Sequence, residues 1–304
     1  MKVAIFGATG FVGNYIVDEL LQSNYEINAL VRKGSEDKLL KAKDCNIIDG
    51  DISDEEAILS VLNDAEVVIY NIGIIREFKS KDITFEKLHY EGVKKTVDLA
   101  KKNKIKRYIL MSANGIIPNG TGYQTTKYKA ETYLKNNIRD WTIIRPSLIF
   151  GDSNGKMEFC LQLKKDMLSL PFPAPSFFSG INFLNAGKFK MSPVYVKDVA
   201  KIFVECISNN HAYKKVYHLG GDDLTWNEII NIISSAVGKK KMMVPAPVLP
   251  VFMMALLLER YSWFPISSSQ LTMLLEGNTC DGSMVFKRYN IDPIPFNVSN
   301  IDYL

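Results

Sequence analysis

The strongest constraint stands at the start of the chain. Lys2–Phe6 reads KVAIF, a short apolar run with β-branched Val3 and Ile5, and Gly7-Ala-Thr-Gly10-Phe-Val-Gly13 follows at once. Beyond it Phe11, Val12, Tyr15, Ile16, Leu20 and Leu21 recur at helical spacing. This order predicts a strand, a glycine turn and a helix. Gly7 permits the tight turn, Gly10 lets backbone approach a pyrophosphate, and Gly13 lets the helix pack close to the strand. The free N–H groups at the helix start then face phosphate. Thr9, Phe11 and Val12 belong to the same turn and are expected against the bound group. A three-glycine pattern alone is weakly specific, but between a strand and a helix it predicts dinucleotide binding.

The pattern then repeats. Glu26–Val31 (EINALV), Asn46–Gly50 (NIIDG), Glu66–Tyr70 (EVVIY), Tyr108–Met111 and Trp141–Ile144 read as strands. Helical stretches alternate with them, notably Thr84–Lys102, with Phe85, Leu88, Val93, Val97 and Ala100 as its inner face, and Tyr123–Lys135. Such alternation predicts an α/β chain with a Rossmann-type, doubly wound parallel sheet and right-handed crossovers. Ligand belongs at the carboxyl ends of the strands. Gly7, Arg32, Asp51, Asn71, Ser112 and Arg145 all fall on that edge. An NAD-preferring site usually has an acid about 20 residues past the glycines. Arg32 and Lys33 stand there instead, so NADP(H) is favoured through its 2′-phosphate, with NAD(H) as the alternative. Asp51, with Ile52 beside it, is placed to accept from the adenine amino group; equally, Asp51 or Ser53 caps the next helix. Asn71 to Gly73 should pass beside the cofactor ribose, and Pro146 closes the sixth strand near the same edge.

From Gly151 the texture changes. Residues 171–193 are rich in Pro, Phe and Gly and read as a long structureless cover over a site. Pro193-Val-Tyr-Val-Lys-Asp198-Val-Ala starts a helix through Ile207, and Lys215–Leu219 reads as a strand returning to the main sheet. Thr225-Trp-Asn-Glu228 is a capping-box pattern opening another helix. The division is therefore a cofactor-binding domain of residues 1–150 plus 194–221, and a smaller, discontinuous C-terminal substrate or partner domain of residues 151–193 plus 222–304. The most apolar stretch is 244–264. Its uninterrupted run is too short for a membrane span. A helix over Val251–Arg260 is expected as core, with docking on a membrane surface or a protein partner as the second reading.

The chain has 304 residues and a net charge of only +4, which argues against a dedicated nucleic-acid binder. Its 47% apolar content is that of a globular protein with a full core. Cys45, Cys160, Cys206 and Cys280 are far apart, and His89, His211 and His218 show no ligand spacing, so no metal is expected. Reduced thiols and a first strand at residue 2 are read as cytoplasmic.

Tyr123-Gln-Thr-Thr-Lys127 is the candidate catalytic pair, since side chains four apart share a helix face. A neighbouring lysine cation should lower the tyrosine pKa. Tyr123 would then exchange a proton with a substrate oxygen as hydride moves. Lys127 would also hold the ribose hydroxyls, and Ser112 or Asn114 would hydrogen-bond the reacting oxygen. Tyr90 and Lys94 have the same spacing, but only Tyr123 follows a strand end carrying a serine.

GATGFVG, Arg32, Ser112, Tyr123 with Lys127, RPSLIFG (145–151) and PVYVKDVA (193–200) together resemble the short-chain dehydrogenase/reductase superfamily, in its extended and atypical branches. MSANG, DWTIIRPSLIFG and HLGGDDLTWNEII resemble most the atypical subgroup related to the NADPH-binding accessory subunit of respiratory complex I. The resemblance implies Tyr123 as acid/base and Lys127 as its helper. Extended members usually have Ser or Thr where Asn114 stands, and often Asn where His89 stands. The implied function is an NADP(H)-dependent oxidoreductase acting on a small carbonyl or alcohol, as a monomer or homodimer. The alternatives are a nucleotide-sugar epimerase or dehydratase, and a non-catalytic NADPH-binding assembly or sensor protein.

Overall fold

A computed structural model describes residues 1–261, 264 and 266–304. Within the 244–264 stretch, Ser262 and Trp263 therefore lie outside the described residues.

The first half alternates strand and helix: β1 (Lys2–Phe6), α1 (Phe11–Gln22), β2 (Glu26–Val31), β3 (Asn46–Asp49), α2 (Glu55–Leu62), β4 (Val67–Tyr70), α3 (Gly92–Lys102), β5 (Arg107–Met111), α4 (Gly122–Asn137) and β6 (Asp140–Pro146). The second half holds β7 (Ile149–Phe150), α5 (Phe159–Leu163), β8 (Ala174–Phe178), β9 (Lys190–Met191), β10 (Val194–Tyr195) and α6 (Val196–Ser208). It continues with β11 (Lys215–Leu219), β12 (Leu224–Thr225), α7 (Trp226–Ala236), β13 (Met243–Pro247), α8 (Val248–Leu258), α9 (Ser268–Glu276) and α10 (Ser283–Arg288).

The main sheet runs β3-β2-β1-β4-β5-β6-β11, every neighbour parallel. Strands buried on both faces read as continuous apolar runs, which is why VVIY and RYILM carry no alternation. One face packs against α1, α6 and α10 through Ile16, Val17, Leu20, Val199, Phe203 and Phe286. The other packs against α2, α3 and α4 through Ile58, Val61, Val93, Val97, Ala130 and Leu134. The strand order reverses between β1 and β4, which opens a crevice at their carboxyl ends. A third apolar cluster gathers around Trp226, whose ring stacks 5.7 Å from Phe189 while its Nε1–H donates to Pro175 O at 2.8 Å.

Two expectations are corrected here. Residues 171–193 are not structureless: β8 lies within them and pairs in parallel with β13 along five residue pairs. The prolines that mask this strand are tolerated because the ribbon has only two strands. The apolar helix begins at Val248 rather than Val251, and it is not core. Of its residues only Ala255 is fully buried, while Leu249 and Leu257 are 70% and 68% exposed.

Gly13 makes the tightest approach in the sheet edge. A Cβ there would lie 2.0 Å from Gly7 O and 2.8 Å from Ala8 O. Gly34 has φ +77° and open space around it. Gly13→Ala is expected to cost about 3 kcal/mol or more in urea unfolding, because backbone must move, and Gly34→Ala only about 1 kcal/mol of backbone strain. Equal costs would show that α1 can shift freely off β1.

Candidate functional site

The crevice is built from strand ends. Gly7 turns the chain at φ +97°, and a Cβ there would stand 2.8 Å from the carbonyl carbon of Asn71. Asn71 N–H donates to Phe6 O at 2.8 Å, and its side chain reaches Gly7 O at 3.4 Å. Gly10 is the N-cap of α1, with no side-chain cap and no acidic residue in the first turn. Bare N–H groups, no carboxylate and glycines at the points of contact fit a pyrophosphate. Thr9, Phe11 and Val12 surround this start. Arg32 and Lys33 follow β2 directly and are exposed, and Glu36 turns away to accept from Gly34 N at 3.0 Å.

Asp51 and Ile52 sit at the next strand end. Asp51 Oδ1 accepts from Ser53 N and Oγ at 3.1 and 2.8 Å, and Ile52 is buried. Neither Asp51 nor Ser53 caps α2. That cap is Asp54, whose carboxylate accepts from Glu56 N and Ala57 N. Gly73 lies between two side chains: a Cβ on it would be 3.7 Å from Lys127 Nζ and 3.9 Å from His89 Nε2.

Tyr123 and Lys127 stand on one face of α4. Thr121 and Gln124 start that helix with a capping box. Lys127 is buried; its ammonium donates to Met111 O at 3.3 Å and lies 5.6 Å from the Tyr123 ring centroid. Burial pushes Lys127 down to about 8, opposed by the carboxylate of Glu131. Glu131 in turn holds Arg145 through two contacts of 2.8 and 2.7 Å. The residue after Met111 is Ser112. Among the described residues its Oγ is the one buried side-chain oxygen or nitrogen with no hydrogen-bond partner. The structure thus brings Ser112, Tyr123, Lys127 and Gly73 to one place. Tyr90 and Lys94 instead face Tyr133.

Two details differ from the sequence expectation. Burial raises the Tyr123 pKa rather than a lysine lowering it. Asn114 does not offer its amide to a reacting oxygen. Its Nδ2 donates to Asn278 Oδ1 and Thr279 O, both at 2.9 Å, and its Oδ1 pairs with His218 Nδ1 at 2.9 Å. Asn114 N–H donates to Pro146 O at 2.9 Å, which ties the last named cofactor residue to the same seam.

His89 belongs to the site as a support. It lies on a wide helical turn, Glu86–Glu91, ahead of α3. Burial, and then the Lys127 charge, push its pKa down to about 2, so the ring is neutral. Nε2 accepts from Ile74 N at 3.1 Å, which leaves the proton on Nδ1, 3.2 Å from Thr126 Oγ1. His89 thereby fixes the loop carrying Gly73. The spacing of histidines gives no hint of this, because the partners are a backbone amide and a threonine. Arg76 was equally hidden: its guanidinium donates to the carbonyls of Phe264, Glu259 and Tyr261 at 2.6, 2.8 and 2.9 Å.

A protein-family model described as NAD(P)H-binding matches residues 7–167. The chain is 30% identical over 243 residues to "NADH dehydrogenase [ubiquinone] 1 alpha subcomplex subunit 9, mitochondrial" of Arabidopsis thaliana, covering 75% of this chain and 56% of that protein. The chain thus spans about half the length of that relative. It is 22% identical to a ceramide reductase of Caulobacter vibrioides, over 81% of this chain and 73% of the relative. Its fold matches UDP-glucuronic acid 4-epimerase from Bacillus cereus with a TM-score of 0.72, at 18% identity over 99% of this chain and 97% of that one.

A buried ammonium gives a thermodynamic test. The folded state lowers the Lys127 pKa from 10.5 to about 8. The unfolded chain therefore holds the extra proton between those values, stability rises with pH across that window, and the penalty is complete below about pH 8. Lys127→Met is expected to raise stability at pH 7 by on the order of 3 kcal/mol, and by less at pH 10, in urea unfolding. A destabilised variant at pH 7 would overturn this account of Lys127.

Proposed function

We propose that this chain, which belongs to the NAD(P)H-binding family as an atypical member of the short-chain dehydrogenase/reductase superfamily, is an NADP(H)-dependent reductase of a small carbonyl substrate. The carrying observation is the pairing of Tyr123 with the buried Lys127, whose ammonium is held on Met111 O, one residue before the unpartnered Ser112 Oγ. The ceramide reductase relative is consistent with it. Residues 1–150 with 194–221 would hold the cofactor, and residues 151–193 with 222–304 would line the substrate. The 244–264 stretch would meet a membrane surface or a protein partner.

When bound, the cofactor supplies or accepts the hydride. Ser112 hydrogen-bonds the reacting oxygen. Tyr123, kept protonated by burial, donates its phenolic proton to that oxygen as the carbonyl becomes an alcohol. The Lys127 ammonium offsets the charge left on the phenolate, and holds ribose hydroxyls beside Gly73. Oxidation of an alcohol runs the same proton path in reverse. Arg32 and Lys33 take the 2′-phosphate, for which their exposure beyond β2 leaves room.

A second reading has its own observation. Asn114 is spent on the seam to Asn278 and Thr279, as befits a chain that binds NADPH for assembly rather than turnover.

Titration with NADPH and NADH, followed by cofactor fluorescence, is expected to favour NADPH by roughly tenfold or more, and Arg32→Asp to remove that preference. NADH preference would overturn the role given to Arg32. Tyr123→Phe is expected to lose roughly a hundredfold or more in turnover while still binding cofactor. Unchanged turnover in that variant would sink the acid/base role, and the absence of turnover across carbonyl substrates would favour the assembly reading.

A further inference from the structure

The face around α8 has no partner within the described chain. Its inner side is set by Val248, Val251 and Phe252, which pack on the third apolar cluster, and by the buried Ala255. Its outer side carries Leu249, Met253, Met254, Leu256 and Leu257, all exposed. The apolar surface extends past the helix. Met242 and Val244 are exposed at the start of β13, and the turn Phe183–Asn185 packs beside that strand. Ile181 in the same segment is 98% exposed. Monomers rarely leave contiguous apolar patches larger than a few hundred Å² open to water.

The chain beside this patch is rich in lysine, with the exposed Glu228 carboxylate next to Lys190 alone. Lys239 and Lys240 precede β13, Lys188 and Lys190 follow the Phe183 turn, and all four are exposed. Among the described residues none of them forms an ion pair. Lys241 pins the neighbouring chain by donating to the carbonyls of Leu168 and Leu170. Between 239 and 261 the single acid is Glu259. Its carboxylate is taken by Ser268 N and Oγ, both at 2.7 Å.

We propose that α8, the start of β13 and the Ile181–Leu184 turn dock on an anionic lipid bilayer surface. This deepens the reading of 244–264 given above and rests on it. At eleven residues α8 is about 16 Å long, roughly half the hydrocarbon thickness, so it lies along the interface with its leucines and methionines in the acyl region. The lysines then sit at headgroup level, where anionic lipid supplies a counter-charge. A second copy would offer the same lysine-rich rim. Among the described residues no helix is long and apolar enough to cross a membrane, which agrees with attachment to one leaflet.

The test is co-sedimentation of the full chain with phosphatidylcholine vesicles, and with vesicles containing roughly one-third phosphatidylglycerol. Binding is expected to the anionic vesicles, weakly to the neutral ones, and to fall as salt rises. Lys239→Gln with Lys240→Gln is expected to weaken it about tenfold or more. Leu249→Gln with Leu257→Gln is expected to abolish it. Both variants change exposed side chains, and NADPH titration of each, expected to match the unaltered chain, reads folding and the catalytic proposal separately. No binding to anionic vesicles, or binding that neither variant weakens, would overturn the proposal. So would a dimer in sedimentation equilibrium that the Leu249→Gln, Leu257→Gln variant dissociates, since a second copy would then cover the face.

Discussion

The carbonyl oxygen of Gly7 would lie 2.0 Å from a Cβ on Gly13, and the architecture depends on the absence of that carbon. Because α1 can start directly against the turn, its unsatisfied N–H groups sit at the reversal of strand order, where β1 and β4 diverge. Asn71, bonded to Phe6 O and reaching Gly7 O, closes the other wall of that crevice. The remaining strands bring their carboxyl ends to the same line. The sheet's parallel hydrogen bonding therefore positions Arg32, Asp51, Gly73 and Ser112 together although they are spread over eighty residues of sequence.

The electrostatics of the site carry a cost in stability. A buried ammonium at Lys127, a phenol pushed up at Tyr123 and an imidazole pushed down at His89 all share the cause of desolvation. Their protonation states are complementary. Tyr123 holds a proton it can give, Lys127 is a cation near neutral pH, and His89 is neutral, so that its Nε2 can accept from Ile74 N. A charged histidine beside Lys127 would repel it and lose that bond. Glu131 supplies the counter-charge from one turn further along α4, and it is itself paired with Arg145 and Lys135. The arrangement gives up packing stability for a cation held at one place, as expected where a site needs charge.

Features with a local cause were legible in the sequence. The glycine turn, the seven parallel strands and the capping box that opens α7 follow from hydrophobic period, glycine placement and the Thr-x-x-Glu spacing. Features with a distant cause were not. The amide of Asn114 is claimed by Asn278, 164 residues away, which no window around residue 114 reveals. His89 is placed by a wide turn that breaks the helical period before α3. For α8, periodicity fails for a different reason. A helix apolar on every side reads as core, yet hydropathy reports only what a surface prefers and not whether the chain has enough neighbours to cover it.

Arg76 joins the exposed face to the site. It leaves the strand-end edge two residues after Ile74, which His89 holds in place, and its guanidinium binds three carbonyls beyond α8. Glu259 is the C-cap of α8, so the guanidinium meets the end of that helix and ties it to the loop beside Gly73. The orientation of α8 is thus set by the same backbone that borders Lys127. A surface that holds α8 also orients the mouth of the crevice, because the two meet through a charged fork rather than a flexible linker. The apolar side chains near that mouth, Ile75, Phe78 and Ile117, are exposed as well. Water is a poor solvent for such side chains, and an apolar phase that holds α8 would favour their burial as well.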